Sequence, residues 1–193
     1  MSTSVNELTI LSPPDARAAY MALPEGTRAE LINDSIIMSP APLLPHQIII
    51  HYLDMILGNH VLEHQLGMVL PAPVDVHLND SNIFQPDLVF VARERRSILS
   101  RRGIIGAPDL VVEVLSPSNA YYDLTEKKRV YELAGVPYYW TLDPENSAFE
   151  GWVLAGATYR MEFRAVEQGT VQPQLFPGLV LPVQEIFDFG DLA

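Results

Sequence analysis

The chain has 193 residues, 48% of them hydrophobic, a mean hydropathy of +0.12 and a formal net charge of −12. This composition fits one globular domain, residues 1–193, and excludes a disordered chain. No apolar run approaches the roughly 20 residues that span a bilayer, and the polar start Met1-Ser-Thr-Ser-Val-Asn-Glu does not resemble a signal peptide; zero cysteines exclude disulfides and thiolate metal sites and suit a cytoplasmic protein.

Residues 12–22 read as a short helix, with Ser12 available as a cap and Pro13 and Pro14 suited to the first turn. Residues 28–38 have the pattern of a hairpin turning at Asn33-Asp34. Ser39-Pro-Ala-Pro breaks the chain before a long helix, about 45–65, in which Ile49, Leu53, Ile56 and Leu57 recur at helical spacing; Gly67 would end it. Strands are expected near 68–78, 87–92 and 109–116, the last two as nearly continuous apolar runs covered on both faces. The arginine-rich stretch 93–106 links them, with room for a helical turn. A helix over about 123–134 would start at Ser118 or Asp123 and end at Gly135. Strand 137–142, a turn at Asp143–Asn146, and a hairpin of 148–154 and 158–164 around Gly156 follow. The tail, with Phe176-Pro-Gly-Leu and Ile186-Phe187, reads as a packed flap. This order of elements gives an α/β or α+β layer fold.

Glu113 lies in the middle of the apolar strand Pro108-Asp-Leu-Val-Val-Glu-Val-Leu-Ser-Pro. A charge there costs several kcal/mol unless it is paired or coordinates a metal. Its counterpart is Asp87, in the similar run Gln85-Pro-Asp-Leu-Val-Phe-Val. Strand alternation puts Asp87, Val89 and Val91 on one face, and Asp109, Val111, Glu113 and Leu115 on one face of the next strand. If the strands pair, Asp87 and Glu113 converge on a hard divalent ion such as Mg²⁺, with Mn²⁺ as a substitute. A nearby lysine would orient the nucleophile or stabilise the transition state; Lys127 and Lys128 are the only lysines in the chain.

The net charge argues against a nucleic-acid partner. Its distribution argues the other way, because residues 93–129 hold eight of the twelve basic residues against five acids, so this window is +3 and the remainder −15. The alternative is that these arginines only solvate a loop and a helix face.

Several motifs carry a resemblance to a family. They are Glu30-Leu-Ile, Met38-Ser-Pro with His46 after it, Pro86-Asp87-Leu-Val-Phe-Val, Ala107-Pro-Asp-Leu-Val-Val-Glu113-Val-Leu-Ser-Pro-Ser, then Asp123, Lys127 and Tyr131 at fourth positions. Gly135-Val-Pro-Tyr-Tyr-Trp, Asp143-Pro144 and Phe176-Pro-Gly-Leu complete the set. With these the chain resembles the PD-(D/E)XK nuclease superfamily and, within it, the Uma-two family of restriction endonucleases. The resemblance implies a mixed central sheet flanked by helices, with a nuclease core at about 45–144 and extra N-terminal and C-terminal β elements. It also implies Mg²⁺-dependent hydrolysis of DNA phosphodiester bonds by a metal-activated water. Asp87 and Glu113 correspond to the metal-binding carboxylates. The superfamily lysine would stand at Leu115, so its function moves to Lys127. Glu30 is the extra carboxylate, although the turn after it reads Asn33-Asp34-Ser35 where the family has Asp-Gly-Glu. His46 falls near the site entrance, where it could position phosphate or cap the helix. Cutting both strands of a duplex calls for two active sites, which a homodimer would supply.

Each of these residues also has a structural reading. Glu113 could pair with an arginine as a buried acid, Asp87 could satisfy backbone amides, and Asp123 could only cap a helix. For Asp109 the structural reading wins, Lys128 reads as solvated, and Tyr131, Tyr139 and Trp140 read as core. His60 and His64 read as a packed or surface pair, since no third ligand is evident. Two rival functions follow: a catalytically weak or inactive nuclease-fold protein acting as a DNA-associated or protein-interaction module, and, ranked last, acid–base hydrolysis of a glycoside by two carboxylates.

Overall fold

The computed structural model describes residues 8–116 and 122–190. Its first half runs β1 (Thr9–Leu11), α1 (Ala16–Met21), β2 (Ala29–Ile32), β3 (Ser35–Met38), α2 (Leu44–Glu63), β4 (Gly67–Pro71), β5 (Val76–Asn79), β6 (Asn82–Phe84) and β7 (Leu88–Ala92). A 3₁₀ turn, Arg93–Ile98, leads to β8 (Leu99–Ser100), β9 (Gly103–Ile105) and β10 (Leu110–Val114). A π-helical turn, Tyr122–Lys127, runs into α3 (Lys128–Ala134). The chain continues through β11 (Tyr138–Asp143), β12 (Ala148–Ala155), β13 (Thr158–Val166), β14 (Thr170–Val171), β15 (Leu181–Pro182) and α4 (Val183–Ile186).

The fold is mixed α+β, as expected. A six-stranded sheet has the order β13-β12-β11-β10-β7-β4, with β10 and β11 parallel and the other neighbours antiparallel. Both faces of its centre are covered, which explains the unbroken apolar runs of β7 and β10. On one face Leu88, Phe90, Leu110, Val112 and Trp140 pack against Ile49, Leu53 and Leu57 of α2 and against Phe176 and Ile186 of the tail. On the other, Val89, Val91, Val111 and Tyr139 meet Val130 and Tyr131 of α3 and Val76, Phe84 and Ile104. The last three belong to a seven-stranded sheet of order β1-β3-β2-β6-β5-β9-β8.

Several local expectations need correction. The first helix is capped by Asp15, whose carboxylate accepts from the Ala18 amide, while Ser12 bonds the Ser35 hydroxyl and follows a short strand. Gly67 opens β4 rather than ending α2; the chain reverses at Gln65, which takes a positive φ of 54°. The expected strand 68–78 is two strands in different sheets, β4 and β5, separated around Pro71 and Pro73. Proline lacks the N–H that a continuing ladder needs. Strand β6 was not foreseen. Ser118 lies outside the described residues. The hairpin at Asn33-Asp34 does form, with φ of 47° and 61° at those residues, as a two-residue loop of the primed type requires.

Candidate active site at the ends of paired strands

Strands β7 and β10 pair antiparallel with Leu88 opposite Val112. Asp87 and Glu113 flank that pair and so come together at one end of the two strands. Asp87 Oδ2 accepts a 2.7 Å hydrogen bond from the Val114 amide, the residue after Glu113. Glu113, only 2% exposed, lies on the face that α3 covers.

The π-helical turn brings two further side chains in from above. Lys127 is 3% exposed, and its Nζ lies 2.8 Å from Glu30 Oε2, 3.1 Å from Asp123 Oδ1 and 3.2 Å from Glu113 Oε1. Asp123 and Lys127 reach the same point because they stand four apart on one turn. The Tyr139 hydroxyl donates to the Asp123 backbone carbonyl at 2.7 Å and ties that turn to the sheet. Tyr131, one helical turn beyond Lys127, donates to Glu113 Oε1 at 2.8 Å. Glu30 arrives from β2, and its Oε1 accepts from the Gln85 amide at 2.8 Å. From α2, His46 Nε2 lies 3.2 Å from Asp87 Oδ2, so His46 sits inside the site and not at the helix cap.

Three buried carboxylates, Glu30, Glu113 and Asp123, therefore surround one buried ammonium, and a fourth, Asp87, pairs with His46 beside them. Burial, reinforced by the charges of Asp123, Asp87 and Glu30, pushes the Glu113 carboxyl well above its ordinary range although Lys127 opposes the shift. Asp123 is pushed up to about 6, first by burial and then by Glu30 and Asp87, again against Lys127. Burial alone would lower the Lys127 pKa, but Asp123, Glu113 and Glu30 outweigh it and hold the ammonium well above its usual value. The cluster carries more negative charge than one lysine balances. A strained arrangement of this kind is how functional sites depart from ordinary cores.

Among the described residues, no group of three or more His, Asp or Glu side chains is placed to hold a metal ion unaided. The carboxylate pair Asp87–Glu113 nonetheless suits Mg²⁺, which takes one or two protein carboxylates and keeps several waters. Excess negative charge beside the pair fits such an ion as well. His60 and His64 stack with ring centroids 4.3 Å apart at the far end of α2. Asp109 accepts from the Ala92 amide and from Arg95, a structural role. Lys128 is not simply solvated, since its ammonium lies over the Trp152 ring. The fourth-position spacing of Asp123, Lys127 and Tyr131 put all three on one face, and it is this reading, not the alternative of a helix cap, that the inward-turned Asp123 carboxylate matches. The basic window is divided by the fold, for Lys127 enters the site while Arg95 does not. Arg95 is bound to Asp109, at the opposite end of β7 and β10 from Asp87 and Glu113.

A mixed sheet with acidic residues and a lysine at the end of paired strands defines a nuclease-like fold. The chain belongs to the Uma2 family, described as "Putative restriction endonuclease", whose model matches residues 17–184. The fold is also similar to the crystal structure of "a putative nuclease belonging to DUF820" from Anabaena variabilis. That similarity has a TM-score of 0.73 at 19% identity and covers 89% of this chain and 97% of that one. No curated protein matches the chain. Among the described residues, no helix is long and apolar enough to cross a membrane.

Proposed function

We propose that this chain is a divalent-metal-dependent endonuclease that hydrolyses DNA phosphodiester bonds, with Asp87 and Glu113 holding Mg²⁺ or Mn²⁺. The observation that carries the reading is the convergence of these two carboxylates beside a buried ammonium, in a chain of a restriction-endonuclease family. When bound, the ion supplies Lewis acidity at the scissile phosphate and a lowered pKa for the attacking water. The protein's own groups do the rest. His46 and the Val114 amide fix Asp87, and Tyr131 and Lys127 fix Glu113. Glu30 and Asp123 hold the Lys127 ammonium charged and in place, where its field can stabilise charge that develops on the phosphate. The site contains no cysteine, and hydrolysis by water needs no covalent intermediate.

A second reading has its own support. All three carboxylates that touch Lys127 compete for it, and Arg95 of the arginine-rich stretch is bound to Asp109 away from the site. The chain would then be a nuclease-fold binding module with little turnover.

The deciding experiment is calorimetric titration of Mg²⁺ and Mn²⁺ into wild type and Glu113→Gln, with nicking of supercoiled plasmid assayed in the same buffers. Binding and nicking in wild type, both lost in the variant, support the nuclease. A folded wild type that binds neither ion rejects the metal mechanism and favours the binding module.

A further inference from the structure

Strands β8 and β9 form a tight hairpin whose loop carries Arg101 and Arg102, with Gly103 opening β9. This hairpin is pressed onto Asp75. The Ile104 amide donates to the Asp75 carbonyl at 2.8 Å, and a Cβ added at Gly103, where φ is 139°, would run into that same oxygen. Glycine is the residue that tolerates both the φ and the close approach. Backbone contact thus holds the two arginines at the rim of a cavity of about 790 Å³, which they line together with Tyr20, Asp75 and Gln85.

The less exposed part of this lining has bonding capacity to spare. Asp75 Oδ1 accepts from Gln85 Nε2 at 2.9 Å and from the hydroxyl of buried Tyr20 at 3.1 Å. The other oxygen, Oδ2, has no hydrogen-bond partner among the described residues. At the rim, Arg101 and Arg102 are exposed, and neither joins an ion pair among the described residues, unlike Arg17, Arg95, Arg129 and Arg164. Leu70, Pro73 and Leu99 add apolar surface, and Glu25, the other carboxylate of the lining, is exposed. A molecule that satisfies the cavity carries a hydrogen-bond donor for Asp75, an apolar body, and an anion for the arginines.

We propose that the cavity binds a nucleotide whose base carries an amino group, with the phosphate on Arg101 and Arg102 and the amino group on Asp75. Guanidiniums match phosphate in charge and geometry. A carboxylate accepts and does not donate, so it takes the exocyclic amino group of cytosine or adenine and opposes the carbonyl that uracil or thymine presents there. The volume lies in the range of small-molecule sites. Gln85 joins the cavity to the carboxylate cluster, because its side chain bonds Asp75 while its backbone amide donates to Glu30. The choice of a nucleotide over another molecule with an amine and an anion rests on the nuclease reading. A free nucleotide and an unpaired nucleotide of a DNA strand present the same groups.

The test is titration of dCMP and dUMP into the metal-free full chain, followed by NMR at the Gln85 side-chain amide and the Gly103 backbone amide. Titration to about 5 mM reaches dissociation constants in the millimolar range. Wild type should bind dCMP about tenfold or more tighter than dUMP, as one hydrogen bond to a charged group provides. Asp75→Asn keeps an oxygen for Tyr20 and Gln85 and puts an amide donor in place of Oδ2, so it should reverse the preference toward dUMP. A merely structural role for Asp75 would produce no such reversal. Arg102→Ala, on the exposed loop, should weaken both nucleotides alike by about fivefold or more, since phosphate contacts do not read the base. A single-stranded cytosine oligomer that binds tighter than dCMP assigns the cavity to a nucleotide of a strand, and equal binding assigns it to a free one; either upholds the site. Amides that neither nucleotide shifts, or a cytosine preference that survives Asp75→Asn, overturn the proposal. The titration needs neither metal nor cleavage. Selective binding without plasmid nicking therefore counts against the nuclease reading alone, and nicking without nucleotide binding against the cavity alone.

Discussion

At the scale of single residues, the site is governed by the balance between one ammonium and the carboxylates around it. Lys127→Met would leave Glu30, Glu113 and Asp123 buried without their cation, and removing one partner from a buried ionic cluster costs about 3–5 kcal/mol. Urea denaturation at pH 7 should show a loss of that order. The loss should shrink near pH 5, where burial already favours protonated Glu113 and Asp123. Asp123 gives a second expectation. Its carboxyl is raised in the fold from 3.8 to about 6, so the native state retains a proton that the unfolded chain releases in that window. Its contribution to stability is therefore favourable at the acid end and falls as pH rises from about 4 to about 6. Melting temperatures across this range, in metal-free buffer, should fall more steeply for wild type than for Asp123→Asn. Equal slopes would mean that Asp123 titrates alike in the folded and the unfolded chain. A divalent ion at the neighbouring pair should flatten the wild-type slope, because it favours the charged carboxylates.

At the scale of elements, close backbone approaches decide where the sequence could be read and where it could not. Gly67 looked like a helix stop because it follows a long apolar helix. In the fold it starts the edge strand β4, where an added Cβ would run into the Val91 carbonyl and the Phe90 ring. Backbone cannot move aside as a side-chain tip can, so Gly67→Ala should destabilise by about 1–3 kcal/mol, measured as a lowered urea midpoint with unchanged m-value. If the midpoint does not move, β4 is not held against β7 as described. The unbroken runs of β7 and β10 and the Asn33-Asp34 turn were legible because period and turn chemistry are local. The division of 68–78 between two sheets was not, since alternation does not say which sheet a strand joins. Strand β6 is only three residues long, too short for a periodic signal. Within the site, Asp87 and Glu113 stood out as acids inside apolar strands. The meeting of Glu30 with Lys127 joins elements far apart in sequence, so spacing alone could not supply it. Asp123 has the residue type of a helix cap, but its spacing put it on the face of Lys127, and the tertiary position of the turn points that face inward.

At the scale of the whole molecule, charge must be counted in space and not along the chain. The formal charge is −12, and the basic window that looked like a substrate surface is dispersed by the fold. Within it Arg95 is bound to Asp109 and Arg129 to Glu126, and outside it Arg164 is bound to Glu150 and Arg17 to Asp80. Arg101 and Arg102 differ. Both are exposed and line a cavity of about 790 Å³. The same cavity is lined by Gln85, whose amide bonds Glu30 at the site. These two guanidiniums are exposed where a nucleic-acid backbone could meet them. A protein that neutralises about two phosphates loses roughly tenfold in affinity between 50 and 200 mM salt, against about 10³–10⁵ for one that makes six to ten phosphate contacts. Binding of a fluorescent duplex to metal-free protein, followed by anisotropy across that salt range, should show the shallow dependence. Arg101→Glu and Arg102→Glu should each reduce the slope by about one and weaken all sequences alike, as phosphate contacts do. A steep slope that survives both substitutions would mean that phosphates are met by a different set of cations, and that the duplex lies across another part of the molecule.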